Sequence, residues 1–248
     1  MTVIKSDDEV AIMRKSGRIV AAVLERLKKE VKPGVKTKQL DTVAVDELRK
    51  WGAKASFKGY RGYPASLCVS INDEVVHGIP GGRVLQEGDI VSLDFGACLD
   101  GFHSDAAITV GIGKISAQAQ KLLDVTEAAL KVGIKVARHG SHLGDVSAAI
   151  QEYVGTRGFS VIREYCGHGI GRNLHEDPQV PNFGLPGTGP LLLKGVTLAV
   201  EPMVTAGDWR TRLDNNKWTV HTIDNNLSAH FEHTIAIGNA EPEILTVL

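Results

Sequence analysis

The sequence is poor in cysteine and has no long apolar run, and each absence excludes a class of protein. Its 248 residues contain three cysteines, an odd number that does not form a disulfide framework. No apolar stretch approaches the ~20 residues that a membrane-spanning helix needs. The first residues lead into Ser6-Asp7-Asp8-Glu9 without the apolar core of a signal peptide. We therefore expect a cytoplasmic protein that does not enter a membrane.

An excess of charge of one sign is also missing. Lysine and arginine, 28 in all, nearly balance 29 aspartates and glutamates, and no long basic run occurs. A nucleic-acid-binding surface is normally basic, so the composition gives no support for nucleic-acid binding. The length allows one large domain, or two halves that share a core.

The apolar spacing predicts two pairs of helices. Ser6 and Glu9 form a capping box that begins the first helix, and Pro33-Gly34 ends it. Further helices are predicted over 37–51, 116–138 and 144–157, and short strands follow each helix pair. Two copies of this order predict an α+β fold in one catalytic domain, 1–248. Its pseudo-symmetric halves would be about 1–112 and 113–248, with the site where their sheets meet.

Residues 90–110 predict a hairpin that carries two aspartates on one face. On the first arm Val91 and Leu93 point one way and Asp94 the other, and Asp100-Gly101 supplies the turn. On the returning arm Asp105 falls on the face that the apolar residues avoid. Two converging carboxylates repel each other unless a proton or a cation lies between them. The alternative is a pair of solvated aspartates on an exposed sheet face.

Three more polar side chains are predicted on faces turned away from the core. Glu201 alternates with apolar neighbours in a strand over 197–203, and Glu232 does so over 230–237. His168 lies between glycines, whose small size leaves room around its ring. A ligand set of oxygens with one nitrogen suits Mn, Fe(II), Co or Zn. Four carboxylates exceed the need of one such ion, and bridging carboxylates suit a pair.

The motifs around these residues resemble those of type I methionine aminopeptidases. In chain order they are His77-Gly-Ile-Pro, Asp94 with Asp105, Gly167-His168-Gly-Ile-Gly171, His175-Glu-Asp-Pro178, Ala199-Val-Glu-Pro202 and His230-Phe-Glu-His-Thr234. The likeness runs in order over essentially the whole chain, and several motifs in series are more specific than any one of them. It matches the short bacterial form, which has no cysteine-rich zinc-binding extension.

The resemblance implies a pita-bread fold with two divalent metal ions (Co, Mn, Fe(II) or Zn). Asp94 would bind one ion, His168 and Glu201 would bind the other, and Asp105 and Glu232 would bridge the pair. A water molecule activated between the ions would be the nucleophile. Glu201 would help to move its proton to the leaving amine. Because the ions can also anchor a free α-amine, the enzyme would be an exopeptidase.

The resemblance also implies two histidines and an apolar pocket outside the ligand set. Of His77 and His175, one would hydrogen-bond the substrate near the scissile amide nitrogen and the other would stabilise the developing oxyanion. The methionine pocket would be lined by Phe57, Tyr60, Tyr63, Cys68, Leu174 and Trp218. An apolar slot with a soft sulfur contact suits a thioether. The alternative for these aromatic residues is ordinary core packing.

The implied substrate is the initiator methionine of nascent polypeptides, with a small second residue preferred and passing encounters with the ribosome. A monomer is expected because no exposed apolar stripe is left unassigned. Two alternatives share the fold. An Xaa-Pro aminopeptidase or prolidase has a similar ligand set but usually carries an additional N-terminal domain. A non-catalytic binding module would typically have lost metal ligands, and all five are present here.

Overall fold

The computed structural model describes residues 2–248 and confirms each predicted helix. Within those residues the α-helices are α1 (Asp7–Glu30), α2 (Thr37–Arg49), α3 (Ala117–Val136) and α4 (Leu143–Gly155). The last three each end two residues before their predicted ends, because the closing residues leave the helix for turns and loops. None of the helices over 2–248 is long and apolar enough to cross a bilayer.

The first helix begins where its capping box predicts. The Ser6 hydroxyl accepts a hydrogen bond from the Glu9 N–H (3.2 Å), and the Glu9 carboxylate accepts one from the Ser6 N–H (3.0 Å). The two bonds satisfy backbone donors that have no partner inside the helix. The buried face of α1 includes Met13, Leu24 and Leu27. The helix is therefore fixed at its first turn and along one side.

The strands of the fold pair antiparallel, and together with the helices they confirm the predicted α+β class. They are β1 (Lys54–Ala55), β2 (Cys68–Ile71), β3 (Glu74–Val76), β4 (Ile90–Leu99), β5 (Phe102–Gly111), β6 (Ser160–Val161), β7 (Cys166–Gly169), β8 (Glu176–Pro181), β9 (Thr197–Val200), β10 (Met203–Thr205), β11 (Thr211–Leu213), β12 (Val220–Thr222), β13 (Ser228–His230), β14 (Glu232–Ala236) and β15 (Glu243–Ile244). In the described part of the chain, the main sheet has the order β1-β4-β5-β14-β9-β7-β8, with β2 beside β4 and β15 beside β14. Two smaller sheets have the orders β13-β10-β6 and β11-β12-β3.

Strands β4 and β5 form the predicted hairpin. Asp100 and Gly101 have φ values of 49° and 79°, as a two-residue type I′ turn requires. The register pairs Asp94 with Ala107 and Gly96 with Asp105. Residues that face each other in antiparallel strands project to the same side, so both aspartates leave the same face of the hairpin.

Each helix pair covers its own hydrophobic core. Residues of α1 and α2 pack with β2, β4 and β5, whereas residues of α3 and α4 pack with β9 and β14. The main sheet therefore receives one helix pair beside its hairpin and the other beside its later strands. The division into pseudo-symmetric halves at about residue 112 stays a prediction.

We expect Gly17→Ala to destabilise the fold, because α1 lies against the backbone near the C-terminus. A Cβ at Gly17 would lie 2.2 Å from the carbonyl oxygen of Leu245, and backbone atoms cannot easily shift. The expected loss in the free energy of unfolding is about 1–3 kcal/mol, although alanine is the better helix former by about 1 kcal/mol. The measurement is the urea unfolding midpoint.

Gly155→Ala is the matched control for this substitution. It is the same change at the last residue of α4, and a Cβ at Gly155 would meet none of the described atoms within 4 Å outside its own helix backbone and its chain neighbours. The control is expected to keep or slightly raise the unfolding midpoint. Equal midpoints for the two variants would show that α1 is not held tightly at Gly17.

Candidate active site

A row of neighbouring residues across the main sheet brings the carboxylates together. From β2 to β14, the residues paired along this row are Cys68, Asp94, Ala107 and Glu232. The small Ala107 side chain leaves the space between Asp94 and Glu232 open. Glu201 lies next to Glu232 in the same row, one residue past the end of β9. The sequence predicts Glu201 inside a strand, but the strand ends earlier because Pro202 cannot donate a ladder hydrogen bond.

Asp105 is fixed at its backbone by the Thr234 hydroxyl. The Asp105 N–H donates to Thr234 Oγ1 (2.8 Å), and the Asp105 carbonyl accepts from the same hydroxyl (2.7 Å). Gly96 stands opposite Asp105, and a Cβ there would lie 2.9 Å from Phe57 and from Ser56. The missing side chain lets Phe57 pack against β4, the strand that carries Asp94.

His168 presents one ring nitrogen to the carboxylates. Its Nδ1 lies 2.8 Å from the Gly169 carbonyl oxygen. A carbonyl only accepts hydrogen bonds, so Nδ1 carries the proton and Nε2 keeps a free lone pair. Nε2 lies 3.7 Å from Oε1 of Glu201. The adjacent Gly167 makes room mainly for backbone, since a Cβ there would lie 2.4 Å from the Ala199 carbonyl oxygen.

Burial raises the pKa of every carboxyl group in this cluster. The pKa values of Asp94 and Glu201 rise to about 7. Those of Asp105 and Glu232 rise well above their ordinary values, through burial first and then through the neighbouring carboxylates. Four ionised groups here would repel one another, so the cluster binds protons or takes up a cation.

The donor atoms of the cluster fit divalent ions. In the described part of the chain, Oδ1 of Asp94, Oδ1 of Asp105 and Oε1 of Glu232 are buried without a hydrogen-bond partner. An unsatisfied buried acceptor costs about 1–3 kcal/mol, and a cation would satisfy all three. Ligand atoms of Asp105, His168 and Glu232 also lie within 4.8 Å of one another. This spacing allows them to share an ion.

The structure places His77 and His175 in the same cavity as the carboxylates. His77 has a left-handed backbone (φ 60°), its ring lies edge-on to Trp218 at 6.4 Å, and burial lowers its pKa to about 4. The His175 ring stacks on Tyr60 at 5.1 Å and lies 4.1 Å from the His168 ring. Desolvation is the main cause that lowers the pKa of His175 to about 3, and the neighbouring His168 ring adds to it. Both rings are therefore neutral at neutral pH.

The other end of this cavity, which has a volume of about 340 Å³, is apolar. The predicted pocket residues all line it: Phe57, Tyr60, Tyr63, Cys68, Leu174 and Trp218. The Tyr63 hydroxyl donates to the Gly78 carbonyl (2.9 Å), so Tyr63 presents its ring to the cavity. Burial raises the pKa of Cys68, which keeps its thiol protonated. Four of these residues are buried members of one hydrophobic cluster, and Tyr60 and Trp218 pack against it, so the six form a core and a cavity wall at once.

The cavity also includes residues that the sequence analysis does not assign. They are Arg61, Val76, Glu164, Tyr165, Cys166, Gln179 and Met203. The sequence feature that could identify Tyr165 and Cys166 as cavity residues is their position directly before the Gly167-His168 motif. His230, which lies behind the cavity wall, is a further unassigned residue, with Nε2 3.5 Å from Oε2 of Glu201. Its spacing of two from Glu232 predicts that both residues share one strand face.

Comparison with known proteins agrees with this geometry. A model of metallopeptidase family M24 matches residues 11–239. The methionine aminopeptidase of Clostridium perfringens is 51% identical over 248 residues, which span all of both chains. The crystal structure of the methionine aminopeptidase from Thermotoga maritima has a TM-score of 0.99 at 47% identity and covers 100% of both chains. The predicted resemblance and the predicted pita-bread fold are thereby confirmed.

A more distant likeness concerns the alternative enzyme class. The Xaa-Pro dipeptidase from Bacillus anthracis has a TM-score of 0.78 at 24% identity, and the match covers 99% of this chain and 62% of that one. An identity this low shows a shared fold alone. The fold is therefore common to enzymes with different substrates, and the substrate has to be argued from the cavity.

We expect the metal-free protein to lose stability steadily as the pH rises from about 4 to about 7, because the folded carboxyl cluster has to keep protons that the unfolded chain releases. The pKa values of its members are raised in the folded state, so the folded protein holds protons that the unfolded chain has already lost. Stability from this source is complete below the ordinary carboxyl pKa and disappears as the pH rises through the folded values. Each such proton changes the free energy of unfolding by about 1.4 kcal/mol per pH unit.

Thermal unfolding of chelator-treated protein across this pH range measures the effect. Saturating Mn(II) should remove this loss of stability at higher pH, because the cation takes the place of the protons in the carboxyl cluster. Asp105→Asn should flatten the pH dependence of the metal-free protein, since one ionisable member is gone. A midpoint that rises with pH in the metal-free protein would contradict the assignment.

Proposed function

Because the chain belongs to metallopeptidase family M24, we propose that it is a metal-dependent methionine aminopeptidase. It removes the N-terminal methionine from nascent proteins and peptides and prefers a small second residue. The observation that carries this proposal is one cavity in which a carboxylate–histidine cluster adjoins an apolar slot. The full-length relatives that bear this name support it.

The carboxylate–histidine cluster would hold two divalent ions. Its donors are carboxylate oxygens and one imidazole nitrogen, a set that suits Mn, Fe(II), Co or Zn. Asp94 would serve one ion, His168 and Glu201 the other, and Asp105 and Glu232 both. When bound, the ions lower the pKa of a water molecule to as little as ~7 and polarise the scissile carbonyl.

Glu201 is the residue best placed to move a proton. Its carboxylate is 13% exposed and lines the cavity, so both the buried ligands and the substrate can reach it. It would accept a proton from the attacking water and deliver it to the leaving amine. Nε2 of His168, which lies 3.7 Å from Oε1, would bind the same ion as this carboxylate.

His77 and His175 would contact the substrate as neutral donors. Their lowered pKa values leave each ring with one N–H and no charge at neutral pH. A neutral donor stabilises negative charge that develops on the substrate oxygen without repelling a nearby cation. One ring would serve that oxygen and the other would contact the scissile amide.

The apolar slot would select methionine. Its walls are aromatic rings, Leu174 and the protonated Cys68 thiol, which offer no partner for a charged side chain. A polarisable thioether gains favourable contacts with aromatic rings and with sulfur. Because the slot adjoins the cluster, methionine held there would place its own carbonyl beside the ligands. The reaction would therefore release one N-terminal residue at a time.

Nascent polypeptides are the substrate source in this proposal. Passing encounters with the ribosome, a cytoplasmic location and a monomeric state stay predictions. An Xaa-Pro peptidase of the same fold is the second candidate enzyme, and a binding module without catalysis is the third. No contact in the cavity favours either, and a direct assay separates all three.

The assay compares two peptides after metal removal and restoration. The protein is treated with chelator, reloaded with Mn(II) or Co(II), and incubated with Met-Ala-Ser and with an Xaa-Pro dipeptide, and products are followed by mass spectrometry. Metal-dependent release of methionine from the first peptide alone is the expected result. Cleavage of the prolyl peptide alone would assign the chain to the prolidase class, and no cleavage with metal bound would favour a binding module.

Two variants separate ligands from substrate contacts. Asp105→Asn is expected to abolish activity with the fold intact, because it removes an anionic ligand.

His77→Ala is expected to lower kcat by about 10²–10³-fold with the metal content kept. Metal content by atomic emission and circular dichroism accompany the kinetics. Near-normal turnover in Asp105→Asn would contradict the two-ion site, and loss of metal from His77→Ala would make His77 a ligand.

A further inference from the structure

His230 is a buried imidazole whose outer nitrogen has no partner. Its side chain is 2% exposed, and Nε2 lies 3.5 Å from Oε2 of Glu201 and 4.0 Å from Oε2 of Glu232. Across residues 2–248, no group forms a hydrogen bond with this nitrogen. A buried polar atom in that state is destabilising, so Nε2 needs a partner, and Oε2 of Glu201 is the nearer of the two carboxylate oxygens.

The backbone of His230 is held on both sides by one hydroxyl. The His230 N–H donates to Thr109 Oγ1 (2.9 Å), and the His230 carbonyl accepts from it (2.7 Å). The Thr109 hydroxyl also contacts Ser92 Oγ at 2.8 Å, and His230 pairs with Met203 across β13 and β10. The imidazole is therefore attached to a fixed point of the sheet and faces the cluster from a defined direction.

The Glu201 carboxylate lies between two imidazoles, one at each oxygen. Nε2 of His168 is 3.7 Å from Oε1, and Nε2 of His230 is 3.5 Å from Oε2. The described side chains whose ligand atoms lie close enough to share one ion are Asp105, His168 and Glu232. His230 lies outside that group, as do Asp94 and Glu201. Nε2 of His230 is closer to Oε2 of Glu201, at 3.5 Å, than to Oε2 of Glu232, at 4.0 Å, and this favours a contact between His230 and Glu201.

We propose that His230 is a positioning residue for Glu201, donating a hydrogen bond from Nε2 to Oε2 and thereby reserving Oε1 for the ion held with His168. A shift of a few tenths of an ångström brings the 3.5 Å separation into the range of a hydrogen bond. The inference rests on the proposed metal-dependent function. Outer contacts of this kind orient ligands, and their loss typically lowers metal affinity by about 10–100-fold.

Mn(II) titration of the metal-stripped protein tests the proposal. His230→Leu removes the donor and fills a similar volume, and His230→Gln places an amide N–H close to the position of Nε2. We expect His230→Leu to weaken Mn(II) binding by about 10–100-fold and His230→Gln to recover most of the affinity. The thermal midpoint of metal-free His230→Leu should not fall, because the variant removes an unpartnered buried nitrogen.

His233→Leu is the matched control on the neighbouring strand. The His233 ring faces away from the cluster, with Nδ1 2.8 Å from Thr246 Oγ1, and this variant should bind Mn(II) as the wild type does. Wild-type affinity in His230→Leu would overturn the proposal. Equal loss of affinity in His230→Leu and His230→Gln, with the metal-free midpoint kept, would also overturn it and make His230 a ligand.

Two further results keep the proposal separate from the proposed function. A fall in both the metal-free midpoint and the affinity of His230→Leu and His230→Gln alike would show a packing role and overturn the positioning role. Wild-type protein that binds Mn(II) but releases no methionine from Met-Ala-Ser would overturn the aminopeptidase function. In that case the affinities of the His230 variants would still decide whether His230 orients Glu201.

Discussion

Four carboxyl groups buried side by side are the main energetic constraint on this structure. Two ionised carboxylates about 4 Å apart repel by about 4 kcal/mol at an effective dielectric constant of 20. A domain is held folded by only about 5–15 kcal/mol. The cluster can therefore be fully ionised only when a cation shares its space. The rest of the sheet holds these groups together against their repulsion, which makes cation binding and folding parts of one equilibrium.

The junction of β5 with β13 and β14 is where the sheet resists that repulsion. The ladder between β5 and β14 is short, and two threonine hydroxyls extend it in both directions. Thr234 holds the backbone of Asp105, and Thr109 holds the backbone of His230. Each hydroxyl donates one bond and accepts another, so it replaces a pair of ladder bonds. Asp105 and His230 are thus anchored at their main chains.

Local spacing predicts the helices, the hairpin and the faces of the carboxylates, because these features follow the periods of 3.6 and 2. It places Glu201 inside a strand, since alternation does not show that pairing ends at Pro202. It does not predict how Tyr165 reaches the cavity beside His77, or that β12, which follows Trp218, pairs with β3 near His77. Those contacts join segments far apart in sequence and leave no periodic signal. The family resemblance supplies what spacing does not, since it assigns His77 and Trp218 to the site.

The two ends of the cavity differ in whether their polar atoms have hydrogen-bond partners. At the apolar end, the Tyr63 hydroxyl is satisfied by the Gly78 carbonyl, and the walls are a packed core. The left-handed backbone of His77 costs about 1–3 kcal/mol, and Gly78 helps to hold it by close packing, since a Cβ there would lie 2.1 Å from the Val69 carbonyl oxygen. At the polar end, buried carboxylate oxygens lack partners among residues 2–248. A preformed slot needs little ordering when a side chain enters, whereas the polar end needs cations before it can act. In the proposed function, side-chain selectivity would therefore come from the fold itself, and reactivity would depend on the ions that the cluster takes up.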